Sequence, residues 1–264
     1  MTITSAPLTG GIDWPRFLSA MVLVIIRLSG LVVFAPVFSS EAIPSRVKVL
    51  FVLTTAIVLA PIVSALPLAQ PGLGVVPVVG ELSVGLMFGL GLSMVNEIFL
   101  FAGQVLGFQF SFSLVNLLDP NSSVQTPLMG QLLSLMATVV LVVAGLHRTM
   151  LLAVIHSFVD LPIGSVRFES HAGQLLVKLM TGVFFAAIQL ASPVLAVTLL
   201  AEVCVALLGK VSPQLPAMII SVPVKTLLGY TVLLSALALW PSFIESHFLS
   251  ILNSIQLLVR QAAR

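Results

Sequence analysis

The sequence predicts an all-α integral membrane protein, with about six hydrophobic helices in hairpins, several of them broken, and a C-terminal amphipathic helix. Three observations predict it. Of the 264 residues, 59% are hydrophobic and 8% charged, with a mean hydropathy of +1.20. A soluble domain carries about 25% charged residues, so there is too little polar surface here to clothe a globule in water. The apolar residues also gather into blocks near the ~20-residue length that crosses a bilayer. Finally, runs such as MVLVIIRLSGLVVFAP and LLSLMATVVLVVAGL do not alternate, as the strands of a membrane barrel do.

The elements follow in chain order. The start, Met1 to Ile12, lacks a basic n-region, and the first apolar run leads into Arg27 without a small-residue cleavage pattern, so it does not read as a signal peptide. The blocks are Phe17 to Phe38, Val47 to Leu66, Val75 to Leu106, Leu128 to Leu146, Leu175 to Leu208 and Leu215 to Leu239. Polar or proline-rich breaks separate them: SSEAIPSRVK, LPLAQPGLG, LLDPNSSVQTP, the long loop HSFVDLPIGSVRFESHAG, and the hairpin turn GKVSPQLP. The third block is too long for one perpendicular span, which implies tilt or extension beyond the bilayer. Within it Gly85, Gly89 and Ser93 stand four apart. Small residues at that spacing let helices approach closely, either within the chain or between subunits. Pro36, Pro61, Pro77, Pro193 and Pro223 punctuate the helices and free carbonyls that must find other partners. In the tail, Ser242 to Arg264, the residues Ile244, Phe248, Ile251, Ile255 and Leu258 follow helical spacing. That amphipathic helix is suited to a membrane surface or to a partner protein.

Charges inside oily blocks are expensive and mark a partner or a water-filled cavity. Arg27, Glu81, Glu97, Glu202 and Lys225 are such charges. They read as intersubunit or intramembrane polar contacts before they read as a proton relay, because the four histidines, His147, His156, His171 and His247, fall in loops or near helix ends. The lone Cys204, inside an apolar run, reads as a small buried residue. No HExxH, GxSxG, Walker A or CxxC pattern is present, so nothing points to an enzyme, a cofactor or a metal. With a net charge of +2 and no basic patch, nothing points to nucleic acid either.

The most unusual stretch is LGFQFSFSLVNLLDPNSS, about 106–123. Phe108, Phe110 and Phe112 alternate with Gln109 and Ser111, and Asp119-Pro120 opens a polar turn. If extended, the segment would set its rings on one side. On composition alone it reads first as a packed aromatic interhelical loop, since short aromatic runs are usually packing. RLSGLVVFAPVFSSEAIPSRVKV, GQVLGFQFSFSLVNLLDPNSS and LASPVLAVTLLAEVCVALLGKVSPQLPAMIISVPVK together resemble the FliR family, subunits of the type III secretion export gate of bacterial flagella. The central pieces are Gly107-Phe108-Gln109 and Asp119-Pro120, and the likeness runs nearly the whole length.

The resemblance implies a chain that assembles with FliP and FliQ type subunits in the inner membrane, partly above the bilayer plane. It implies a FliP-like unit over 1–174 and a FliQ-like hairpin and tail over 175–264, with Pro223 and Lys225 matching a FliQ element. The central loop, about 106–123, is implied to plug the closed channel through Gly107, Phe108, Gln109, Phe110, Phe112, Asp119 and Pro120. A FlhB type switch protein beside the tail, surrounding membrane lipid, and unfolded flagellar proteins as cargo are implied too. Virulence injectisome subunits share the pattern, and the aromatic Gly-x-Gln element favours the flagellar branch. An unrelated alternative is a small-molecule or ion transporter, with broken helices and charges meeting at midplane.

Overall fold

A computed structural model describes residues 13–40, 43–66, 69–110, 128–166, 172–212 and 217–261. These residues form helices joined by turns, so the all-α membrane class holds. The helices are α1 (Trp14–Phe34), α2 (Ser45–Ser64), α3 (Val75–Gln109), α4 (Leu128–Val143), α5 (Leu146–Asp160), α6 (Ala172–Val211), α7 (Ala217–Ala236) and α8 (Trp240–Gln261), with a 3-10 turn, Leu237–Leu239, between the last two. Five stretches are long and apolar enough to cross a membrane, and a sixth if α4 and α5 form one bent span. Phe112, Asp119 and Pro120 lie outside the described residues, as do Arg167, His171 and the Pro213-Gln214 turn.

Several boundaries differ from the sequence reading for local reasons. Helix α1 has Pro15 in its first turn, where proline is tolerated. It stops at Phe34, short of Phe38, because Ala35 precedes Pro36 and is extended (ψ 137°), as pre-proline residues are. The block expected over Leu128 to Leu146 is a 16-residue helix that ends ahead of Gly145 (φ +71°); α5 begins directly after it, at Leu146. The polar loop expected from His156 begins later, since α5 runs on to Asp160. Its Leu146, Met150, Val154 and Phe158 are buried at helical spacing, while the exposed side mixes Arg148 and His156 with Leu152 and Val159 and so masks the pattern. At the C-terminus α7 and α8 continue through the 3-10 turn as one apolar stretch of 42 residues, Ile220–Gln261.

Contacts divide the chain into two compact units of interleaved segments. The first takes Met1–Gly91, Arg148–Ala172 and Leu252–Arg264; the second takes Leu92–His147 and Gly173–Ile251. In the first unit α1 and the start of α3 cross at glycines. A Cβ on Gly85 would overlap the carbonyl oxygen of Arg27, and one on Gly89 would lie 2.5 Å from that of Gly30. Of the two readings left open for this small-residue spacing, close packing within the chain is the one observed at Gly85 and Gly89. In the second unit α3 and α4 cross in the same way, Gly103 against Gly130. Phe99 packs edge-on to Trp240 there, ring centres 5.6 Å apart.

Helix α8 is amphipathic as expected, yet its apolar stripe is spent inside the chain. Ile244 and Phe248 are buried in the second unit, and Leu252, Ile255 and Val259 in the first. The buried positions are Leu252 and Val259 rather than the expected Ile251 and Leu258. A wheel drawn from hydrophobicity alone fixes the phase of a stripe only to about one residue when apolar neighbours flank it.

Candidate functional site

The charged residues singled out in the sequence resolve into two pairs and one solitary group. Arg27 on α1 and Glu81 on α3 are both fully buried. The Arg27 Nε donates to Glu81 Oε2 at 2.5 Å. One terminal nitrogen donates to Ser157 Oγ on α5 and the other to the Leu161 carbonyl, each at 3.1 Å. The guanidinium plane lies over the Phe158 ring, 4.2 Å from its centre. The second carboxylate oxygen of Glu81 accepts the Gly164 N–H at 3.0 Å. Gly164 has φ +77°, and a Cβ there would overlap the carbonyl of Gln70, so only glycine suits this turn. Every fork of the guanidinium is engaged and both carboxylate oxygens are satisfied, the condition under which a buried pair is tolerated. The pair ties α1, α3, α5 and the turn after α5 into the first unit.

Lys225 on α7 donates to Glu202 on α6 at 2.6 Å, across the C-terminal hairpin. The Lys225 side chain is largely covered, while that of Glu202 keeps 42% of its surface. Glu97 is exposed on α3 and pairs with no described residue; Cys204, expected to be buried, is exposed on α6 beside Val203 and Leu207, because that side of the apolar run is not packed inside the chain. Among the described residues no cluster of three His, Cys, Asp or Glu side chains could hold a metal ion.

The start of the central segment is the other focus. Helix α3 continues through Gly107 and Phe108 to Gln109, and Phe110 closes it with its N–H on the Leu106 carbonyl. These residues are helical, so Phe108 and Phe110 diverge instead of sharing a side. Phe108 is 71% exposed and Phe110 is 4% exposed. The helical reach of the apolar α3 block overrides the two-residue alternation that Phe108 and Phe110 suggest. The Gln109 amide donates to Thr198 Oγ1 of α6 at 2.8 Å. The Phe110 ring stacks on Tyr230 of α7, 4.7 Å between centres and 11° from parallel. Thr198, Gly229, Tyr230, Ser157 and Phe158 were not foreseen as site residues. A hydroxyl inside an apolar run, as at Thr198, was the one signal that could have drawn notice.

Residues 18–251 match the family described as "Bacterial export proteins, family 1". The chain belongs to this family. The match includes parts of both compact units and holds Arg27, Glu81, Glu202, Lys225, Gln109, Phe110, Thr198 and Tyr230; it ends within α8. Membership bears out the resemblance to FliR read from the sequence. Export-family relatives named "Flagellar biosynthetic protein FliR" include one from Escherichia coli, 24% identical over 250 residues, 91% of this chain and 93% of that protein. Those from Caulobacter vibrioides and Bacillus subtilis are 26% and 27% identical over 220 residues each, covering 82% and 81% of this chain and 87% and 85% of theirs.

Proposed function

We propose that the chain is a structural and gating subunit of the flagellar type III export gate, without chemistry of its own. It forms, with FliP and FliQ type subunits, the channel through which unfolded flagellar proteins cross the inner membrane. The observation that carries this reading is membership of an export family over 18–251, with FliR relatives aligned over most of the chain. These relatives carry flagellar names, which favours the flagellar over the injectisome reading. The N-terminal part, 1–174, is the FliP-like unit and 175–264 the FliQ-like one. The test is co-expression with FliP and FliQ chains and mass measurement of the purified particle. A chain that forms a stable particle alone, and ignores both partners, would favour the transporter alternative.

In this reading the segment 106–123 plugs the resting channel, with Phe108, Phe110 and Phe112 excluding water and ions and the Asp119-Pro120 turn giving way when cargo threads. Replacing all three phenylalanines by alanine makes cells expressing the assembled gate leak ions or small solutes. A mutant gate that assembles and leaks no more than wild type returns the rings to ordinary packing. The tail is proposed to dock a FlhB type protein at the cytoplasmic side. Because its apolar stripe is already buried, docking falls to the outer face, around Glu245, Asn253, Leu257 and Arg260. Charge reversal at Glu245 and Arg260 should weaken that partner's association while the gate still assembles.

A further inference from the structure

Within the second unit, Gln109 at the end of α3 and Phe110 just after it are held by a small constellation on the C-terminal hairpin. Thr198 is fully buried in the middle of α6. Its hydroxyl donates to the Val194 carbonyl at 2.8 Å, which leaves the oxygen free to accept the Gln109 amide. Phe110 lies flat on Tyr230. The space for that ring exists because the neighbouring residue is glycine: a Cβ on Gly229 would overlap Cε1 of Phe110 and meet Thr198 Cγ2 at 3.2 Å. A glycine inside a helix costs roughly 1 kcal/mol relative to alanine, so its place in α7 calls for a packing reason, and the ring supplies one. One hydrogen bond, one ring stack and one missing side chain therefore meet at two consecutive residues.

We propose that Thr198, Gly229 and Tyr230 are positioning residues that form a seat for Gln109 and Phe110, so that the C-terminal hairpin fixes where the central segment leaves α3. Gln109 and Phe110 then act as its anchor, and the exposed Phe108 is the ring left over for other contacts. The consequence for sealing rests on the plug reading above, whereas the seat itself does not.

The experiment uses the full gate, co-expressed with its partner chains, and two readouts. Hydrogen exchange at the amides of residues 104–110 reports the seat, and solute leak through the gate reports its consequence. Thr198→Val, which keeps the shape and removes the hydroxyl, and Tyr230→Leu, which removes the ring, are expected to speed exchange there by about fivefold, the effect of losing one modest buried interaction. Thr198→Ser and Tyr230→Phe should behave as wild type. Gly229→Ala should speed exchange in the same peptide, and pairing it with Phe110→Ala should add nothing further. Unchanged exchange in both Thr198→Val and Tyr230→Leu overturns the seat. Faster exchange with raised leak supports it; faster exchange without leak supports the seat and removes the plug reading instead.

Discussion

At the scale of single residues, the molecule treats its buried charges unequally. Arg27 gives up all water and receives four partners in return: Glu81, Ser157, the Leu161 carbonyl and the Phe158 ring. Removing one member of such a pair strands the other, at a cost of about 3–5 kcal/mol. Arg27→Met should therefore abolish or sharply reduce recovery of folded complex. Arg27→Lys should rescue it only in part, since an ammonium cannot serve the three divergent acceptors of a guanidinium fork. The combination of Arg27→Met with Glu81→Leu should recover more complex than Arg27→Met alone; equal recovery would mean that the carboxylate is not what Arg27 neutralises. Glu202 keeps much of its surface, so Lys225→Met should lower recovery less than Arg27→Met, as read by complex yield in the same detergent. The sequence marks all four charges as candidates. Lys225 and Glu202 flank the hairpin turn, so a contact across it is legible; the partners of Arg27 are not, because Glu81 stands 54 residues away and Ser157 130.

At the scale of elements, the contacts that matter most are made by absent atoms. Helices α1 and α3 touch backbone to backbone at Gly85, where a new Cβ meets a carbonyl that belongs to a helix and cannot swing aside. Gly85→Ala should thus prevent the crossing and cost more than the usual gain from alanine in a helix. Gly182 on α6 has nothing within 4 Å of its missing Cβ. Gly182→Ala should leave assembly unchanged and raise the thermal midpoint slightly, by the roughly 0.5–1 kcal/mol that alanine gains over glycine. Thermal melts of the two purified variant complexes check the pair, and a similar loss in both would show that the glycines are equivalent. The four-residue spacing at Gly85 and Gly89 is plain in the sequence; which helix receives it is not. Secondary structure was legible wherever one face was uniformly apolar. It failed at α5, where the exposed side mixes Arg148 and His156 with Leu152 and Val159, so no clean two-faced pattern shows although the inner face is buried.

At the scale of the whole molecule, apolar surface is left over. Along their most apolar stretches α1 and α3 are each 44% buried, whereas α6 and the α7–α8 stretch are 22% buried. Phe184, Phe185, Leu199, Leu200 and Leu207 of α6 are exposed, as are Leu227 and Leu234 of α7. Exposed apolar area of this extent calls for lipid or protein cover. Expressed alone, the chain should stay soluble only in detergent and give a polydisperse particle. Co-expressed with FliP and FliQ chains it should give a single mass. A monodisperse particle from the isolated chain would instead mean that lipid or detergent suffices. Composition announced this surplus of apolar surface from the start, but which helices carry it emerges only once the buried faces of α1, α3 and α8 are subtracted.

The Arg27 brace also sets a timetable. Its members are made in order: the guanidinium first, the carboxylate 54 residues later, the hydroxyl 130 later and the closing carbonyl 134 later. At a synthesis rate of roughly 5–20 residues per second, the cation waits about 3–11 s for Glu81 and about 7–26 s for Ser157. Until then α1 presents an uncompensated charge near its middle, a penalty of about 2.5–3.5 kcal/mol for a helix entering the bilayer. That charge offsets part of what the apolar residues of α1 gain in lipid, and the offset is relieved only when α3 and α5 emerge with its partners.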